Sequence, residues 1–203
     1  MPVQDKPTPN YAKMFEGILE RFCTDPSLEL KEANRLAGLL TNYMAAGVDP
    51  NKPVTDINSG VICPVDALTH ASAMGHQFAP IALKTLMKYK GLELDKSSDA
   101  LQGLTPLQFA VVHGIKESTS GRLLPIILSG DERSNPLATA HGDDPALHGK
   151  TAAQLETNPT IKTMLEKAET LARALQTGSQ ANSVSNAGGP NLKALNQDRT
   201  PGH

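Results

Sequence analysis

Apolar residues recur along the chain in short helical stripes separated by turn-forming residues. Tyr11, Met14, Phe15, Ile18, Leu19 and Phe22 share one face of a helix predicted over about Asn10 to Cys23, with Asn10 as N-cap and Asp25-Pro26 as the exit. Leu36, Leu39, Leu40 and Tyr43 form the stripe of a second helix, from Ser27 or Leu28 to Ala46, which Gly47 stops. A third stripe, Ile81, Leu83, Leu86 and Met87, predicts a helix over Ala79 to Tyr89.

Further on, Leu107, Ala110 and Val111 share one face of a short helix that begins at Pro106 and ends at Gly114. Gly103 permits a positive φ in the turn before it, and Thr105 can cap its start with a hydroxyl. Lys116 to Gly130 carries Leu123, Leu124, Ile126, Ile127 and Leu128, with Pro125 placed to kink the helix or delay its start. Asp131 to His148 is a polar insertion punctuated by proline and glycine. The last helix is expected from Pro159 to Leu175, with Ile161, Met164, Leu165, Ala168, Leu171 and Leu175 inward and Glu166, Lys167, Glu169 and Arg173 toward water. Met1 to Pro9 reads as a flexible leader, and Thr177 to His203 is too polar to offset the entropy of ordering it.

The order Gly-x-Thr-Pro-Leu-x-x-Ala at Gly103 to Ala110, followed by His113-Gly114, resembles the first half of an ankyrin repeat, with Gln108 where that family usually has histidine. Leu39-Leu40 followed by Gly47-Val48-Asp49-Pro50-Asn51 resembles the end of such a repeat. Cys63-Pro64-Val65-Asp66-Ala67-Leu68 and Gly149-Lys150-Thr151-Ala152 resemble two further, more divergent starts. Cys63 and Thr105 are 42 residues apart, and Thr105 and Thr151 are 46 apart, against about 33 in the family, so the units carry insertions. The implied fold is all-α, an ankyrin-repeat solenoid over residues 10–176. Its capping helices lie at about 10–46 and its units start near 60, 103 and 149. A short array with irregular insertions and a polar tail resembles bacterial ankyrin proteins more than large eukaryotic scaffolds.

Composition narrows the function. The net charge of −2 gives no electrostatic case for nucleic acid or an anionic membrane, and 3% aromatic residues with no Trp is thin for base or sugar stacking. Two cysteines, Cys23 and Cys63, make no disulfide framework and read as thiols in a reducing compartment. No window reaches the roughly 18 apolar residues of a membrane span, and the N-terminus has no signal-peptide pattern.

The chemical constellations are weak. His141 and His148 share a loop with Asp143 and Asp144, but their spacing matches no metal-ligand pattern, so no metal or cofactor is expected. Cys63 with His70 could pair a thiol and a base on successive helical turns, yet Cys63 takes the helix-capping position of its unit. Gly149-Lys150-Thr151 fails as a phosphate loop because Asp144 stands where the upstream glycine belongs.

What the resemblance implies is binding rather than catalysis. Ankyrin arrays meet partners through hairpin tips and the exposed face of the inner helices. By position, these are Leu101, Gln102, Leu104, Val112 and His113 in one unit, Ser59, Ile62, His70 and Met74 in the preceding one, and Leu147, His148 and Lys150 in the last. Leu101, Leu104 and Val112 clustered there would form an interaction patch, or else the long insertions cover them. The expectation is a monomeric adaptor or secreted effector, cytoplasmic or delivered into a host cell, that binds another protein. The alternative is an inhibitor or immunity-type protein that blocks an enzyme through the 131–148 loop; an enzyme with its site in that loop ranks third.

Overall fold

The computed structural model describes residues 10–56, 60–114, 126–127, 134–142 and 144–187. Seven α-helices occur among them: α1 (Tyr11–Thr24), α2 (Leu30–Ala45), α3 (Pro64–Ala73), α4 (Ala79–Leu86), α5 (Pro106–Gly114), α6 (Ala152–Leu155) and α7 (Pro159–Ala187). The chain is mostly helical. Its departure from a purely helical fold is a short antiparallel hairpin, β1 (Val54–Asp56) with β2 (Gly60–Ile62), registered Val54 to Ile62. A single 3-10 turn spans Asp99–Leu101.

The packing order follows the sequence. α1 packs on α2 and α3; α3 packs on α4 and α5; α2 also meets α4; α5 meets α6, and α6 meets α7. The principal core joins Phe15, Leu19 and Phe22 of α1 to Leu36 and Leu40 of α2, Leu68 of α3 and Leu83 and Leu86 of α4. All but Leu68 are stripe positions expected from the spacing of apolar residues. Asn10 caps α1 by accepting the Lys13 N–H at 3.1 Å. Arg21 near the end of α1 reaches Glu32 of α2 at 2.8 Å, and Glu32 also takes Arg35 at 2.7 Å. The hydrogen bonds from Arg35 and Arg21 hold the Glu32 carboxyl down to about 2.

Segments far apart in sequence are tied by side chains that bond to distant backbone. Asn51 Nδ2 donates to the Gly91 carbonyl at 2.7 Å, and its Oδ1 accepts the Glu93 N–H at 2.9 Å. Gln108 does similar work at the start of α5. Its Oε1 accepts the Thr105 N–H at 2.9 Å while Thr105 Oγ1 accepts the Gln108 N–H at 3.3 Å, a reciprocal box that starts α5. Its Nε2 then donates to the carbonyls of Ala138, at 2.8 Å, and Lys150, at 3.3 Å.

The insertion is not an open loop. Residues 134–142 lie against the turn before α5, with Ala140 buried and the His141 N–H donated to the Gly103 carbonyl at 3.1 Å. Gly103 has φ +74, and a Cβ there would stand 2.4 Å from Gly142 Cα; a Cβ on Gly142 would stand 2.2 Å from the Gln102 carbonyl oxygen. Two glycines therefore let two backbones touch.

α7 departs most from expectation. Leu165 is buried and Ile161 and Ala168 are half-buried, but Met164, Leu171 and Leu175 are exposed rather than inward. The apolar arc of α7 is wider than the surface that covers it. Glu169, expected in water, instead accepts the Thr151 hydroxyl at 2.5 Å. The helix also runs past Leu175 to Ala187, into the stretch expected to lack structure, because each added residue extends an existing ladder at little further cost. The leader 1–9, the final 188–203 and most of the predicted helix over 116–130, including the Pro125 kink, lie outside the described residues; Ile127 of that stretch is in the core.

The glycine contact gives a paired prediction. Gly103→Ala should lower stability by about 3 kcal/mol, through strain at positive φ and the clash with Gly142. Gly38→Ala, on α2 with open space around the new methyl, should raise it by about 0.5–1 kcal/mol. Denaturant midpoints of the two variants against wild type check both signs.

Candidate functional site

A second, smaller core lies beside the first. Leu101, Leu104, Phe109 and Ala140 form it, with Ala73, Val112 and Leu147 packed around them. Four of the residues expected to meet a partner (Leu101, Leu104, Val112 and Leu147) are thus brought together, but as packing rather than as open surface. Leu101 and Leu104 are 0% exposed. The 134–142 segment covers them, so of the two readings open for these residues, an exposed patch or burial under the insertion, the structure has the second. Arginine at Leu104 would break this core and cannot serve as a surface probe.

The accessible part of the region is its rim. Phe109, 2% exposed, is flanked by His70 of α3, with ring centroids 5.8 Å apart, and by His113 of α5 at 4.3 Å. His70 is exposed, Val112 and His113 are half-buried, and Met74 at the end of α3 is 67% exposed. Leu147 leads into His148, whose Nδ1 lies 3.2 Å from the Gly142 carbonyl and whose ring meets His141 edge-on at 6.4 Å. Helices α3 and α5 therefore present His70 and His113 on the Phe109 ring with Val112 packed on the same small core, and the loop before α6 brings Leu147 to that core with His148 next to it in sequence. Met74 is not part of this group: it lines a separate hollow with Phe22, Leu28 and His76.

The other expected contacts sit elsewhere. Ile62 packs against the principal core, and Ser59 lies outside the described residues. Gln102 is exposed at φ +58, in the turn that meets Gly142. Lys150 is exposed while its carbonyl serves Gln108 and the Ala140 N–H. Phe109 was missed by position-based reasoning, although a phenylalanine inside an otherwise small-residue motif was a visible signal.

A buried carboxyl lies one helical turn before His70. Asp66 is 7% exposed, and burial pushes it up to about 6; the Ser98 hydroxyl beside it offsets part of that shift without closing a regular hydrogen bond. Burial, with the Asp66 charge in support, also raises the Cys63 thiol, the reverse of what a thiolate nucleophile needs. Cys63 and Cys23 form no disulfide.

A polar cleft of about 490 Å³ opens between Lys96 and His141, with Thr105 and Thr139 in its walls. Among the described residues no three His, Cys, Asp or Glu side chains are placed to hold a metal ion, and no helix is long and apolar enough to cross a membrane. No protein-family model matches the sequence, and no curated protein does.

Asp66 gives a signed pH prediction. Its folded value lies above the 3.8 of an ordinary aspartate, so the folded chain holds a proton that the unfolded chain releases between pH 3.8 and about 6. Stability from this group is present below that window and is lost as pH rises through it, by about 3 kcal/mol. Asp66→Asn should therefore gain up to about 3 kcal/mol at pH 7.5 and nearly nothing at pH 4, read from denaturant unfolding at both values.

Proposed function

We propose that this chain is an ankyrin-type helical solenoid that binds a partner protein through the rim around Phe109. The rim itself carries the reading. His70 stands out from α3, Val112 and His113 flank the small core from α5, and Leu147, followed by His148, meets the same core from the loop before α6. Aliphatic and imidazole groups around an aromatic floor offer contact area with few ion pairs to break, as interface centres do.

The local features of the stack support the solenoid half of the proposal. A glycine at positive φ followed by the Thr105–Gln108 box, with the amide reaching the next segment's carbonyls, is how one repeat would hold its neighbour in register. A second Thr–Gln pair opens α6, where Gln154 accepts the Thr151 N–H at 2.9 Å. Asn51 ties the turn after α2 to the turn after α4. Helices pack within pairs, α1 on α2 and α3 on α4, and on the corresponding helix of the next pair, α1 on α3, α2 on α4 and α3 on α5, as a quasi-one-dimensional array would. Among the described residues, the inhibitor alternative would use the largely exposed 144–148 turn and His141, because most of residues 134–142 are engaged in packing.

Affinity capture tests the reading. His70→Glu and His148→Glu change exposed side chains and should keep the wild-type melting temperature within a few degrees. Each should lose at least tenfold of the affinity for whatever wild type captures, on the order of 1.4 kcal/mol. Leu171→Glu, on α7 away from the rim, should retain it. A partner kept by both rim variants would overturn the proposal.

A further inference from the structure

We infer that Asp66 is a proton-dependent latch: as the neutral acid it holds the 98–104 turn on α3, and as the carboxylate it lets that turn open. The geometry behind this is a repeated one. Three helices open on a capping residue with a polar side chain three positions on: Cys63 and Asp66 in α3, Thr105 and Gln108 in α5, Thr151 and Gln154 in α6. The turns before α5 and α6 are also alike. Ser98 pairs with Leu104 and Gly103 through backbone hydrogen bonds, as Ala140 pairs with Lys150 and Gly149.

Gln108 holds the second of these turns with an amide that donates to the Ala138 and Lys150 carbonyls. Asp66 meets the first, beside the Ser98 hydroxyl, and α3 packs on the 3-10 turn that follows Ser98. An amide always has hydrogens to give, whereas a carboxyl has one only while it is protonated. Cys63 forms no capping box with Asp66, since its thiol turns to the Asn51 carbonyl. Asp66 is buried, and among the described residues no cation pairs with it, so its charged form is poorly compensated. Leu101 and Leu104, both 0% exposed, lie on the turn and close the small core, so opening uncovers apolar surface.

Neighbouring charges leave the latch to Asp66. On the elements packed against α3 the titratable groups are Tyr11, Lys13, Glu16, Glu20, Arg21 and Cys23 of α1, Lys84 of α4, Asp99 of the 3-10 turn and His113 of α5. Cys63 and His70 belong to α3 and its cap, and Glu93, Asp95 and Lys96 lead into Ser98, with Lys96 paired to Glu93. The titration of Asp66 is set by burial, which raises it, and by the Ser98 hydroxyl, which lowers it. Its value is about 6 with the turn closed against 3.8 for an ordinary aspartate, so closure is fully supported below pH 3.8 and weakens as pH rises to about 6.

Amide hydrogen exchange on the full chain, expressed as protection relative to the unstructured rate at each pH, tests the latch. Protection of the Ser98, Leu101 and Gly103 amides should fall about 100-fold from pH 4 to pH 7.5, and should stay at least tenfold below that of α2 throughout. Asp66→Asn, which has a donor at every pH, should keep the turn at its pH 4 protection to within threefold. Ser98→Ala removes the hydroxyl that favours the charged form and should move the midpoint of the fall to higher pH, which tests the latch even if Asp66→Asn does not fold.

A flat profile in wild type, an equal fall in Asp66→Asn, or a midpoint unmoved by Ser98→Ala would each overturn the inference. Turn amides as well protected as those of α2 at every pH would overturn it too, because ionisation would then act on the whole fold at once rather than on the turn.

Discussion

The structure depends on one buried amide. Gln108 is 1% exposed, and its side chain satisfies a backbone N–H at the start of its own helix and two carbonyls on the segment that follows. Each of those backbone groups is expensive to bury unpaired. One side chain therefore fixes where α5 begins and how residues 134–150 lie against it. The contact between Gly103 and Gly142 follows from the same docking, since backbones held this close leave no room for a Cβ. From there the small core closes over Leu101 and Leu104, and the rim around Phe109 takes its shape.

Much of this was legible in the sequence. The apolar stripes of α1 and α2 named Phe15, Ile18, Leu19 and Phe22 and Leu36, Leu40 and Tyr43 as buried, whereas Tyr11 and Met14 of the α1 stripe stand exposed and Leu39 is half-buried. Thr105, Pro106 and the glycine before them located the start of α5 from local chemistry alone. Gln108 was readable as a residue able to donate and accept, although its distant carbonyl partners were not.

What failed to show itself depended on segments far apart in sequence. Nothing local to Leu101 and Leu104 says that residues 134–142 return to cover them. In α7 the periodicity reported a wide apolar arc, and no periodicity states how much of an arc a neighbour will occupy. Glu169 looked like a solvated charge because its partner, the Thr151 hydroxyl, comes from an element 18 residues earlier. The hairpin β1–β2 was invisible for a simpler reason: three-residue strands are too short to display an alternation.

The tethers also separate time scales. Gln108 reaches partners 30 and 42 residues away, and Asn51 reaches backbone 40 and 42 residues away, while each helix pair between them closes locally. Helices form in about a microsecond, whereas registering one pair on the next must await closure of these longer loops. At the C-terminal end α7 packs on the four residues of α6 and sends Leu165 into the principal core, which α1 to α6 also share. Breaking a tether would accordingly cost docking between helices before it cost the helices themselves, so the long-range registry, and not the local turns, sets the slow step of assembly.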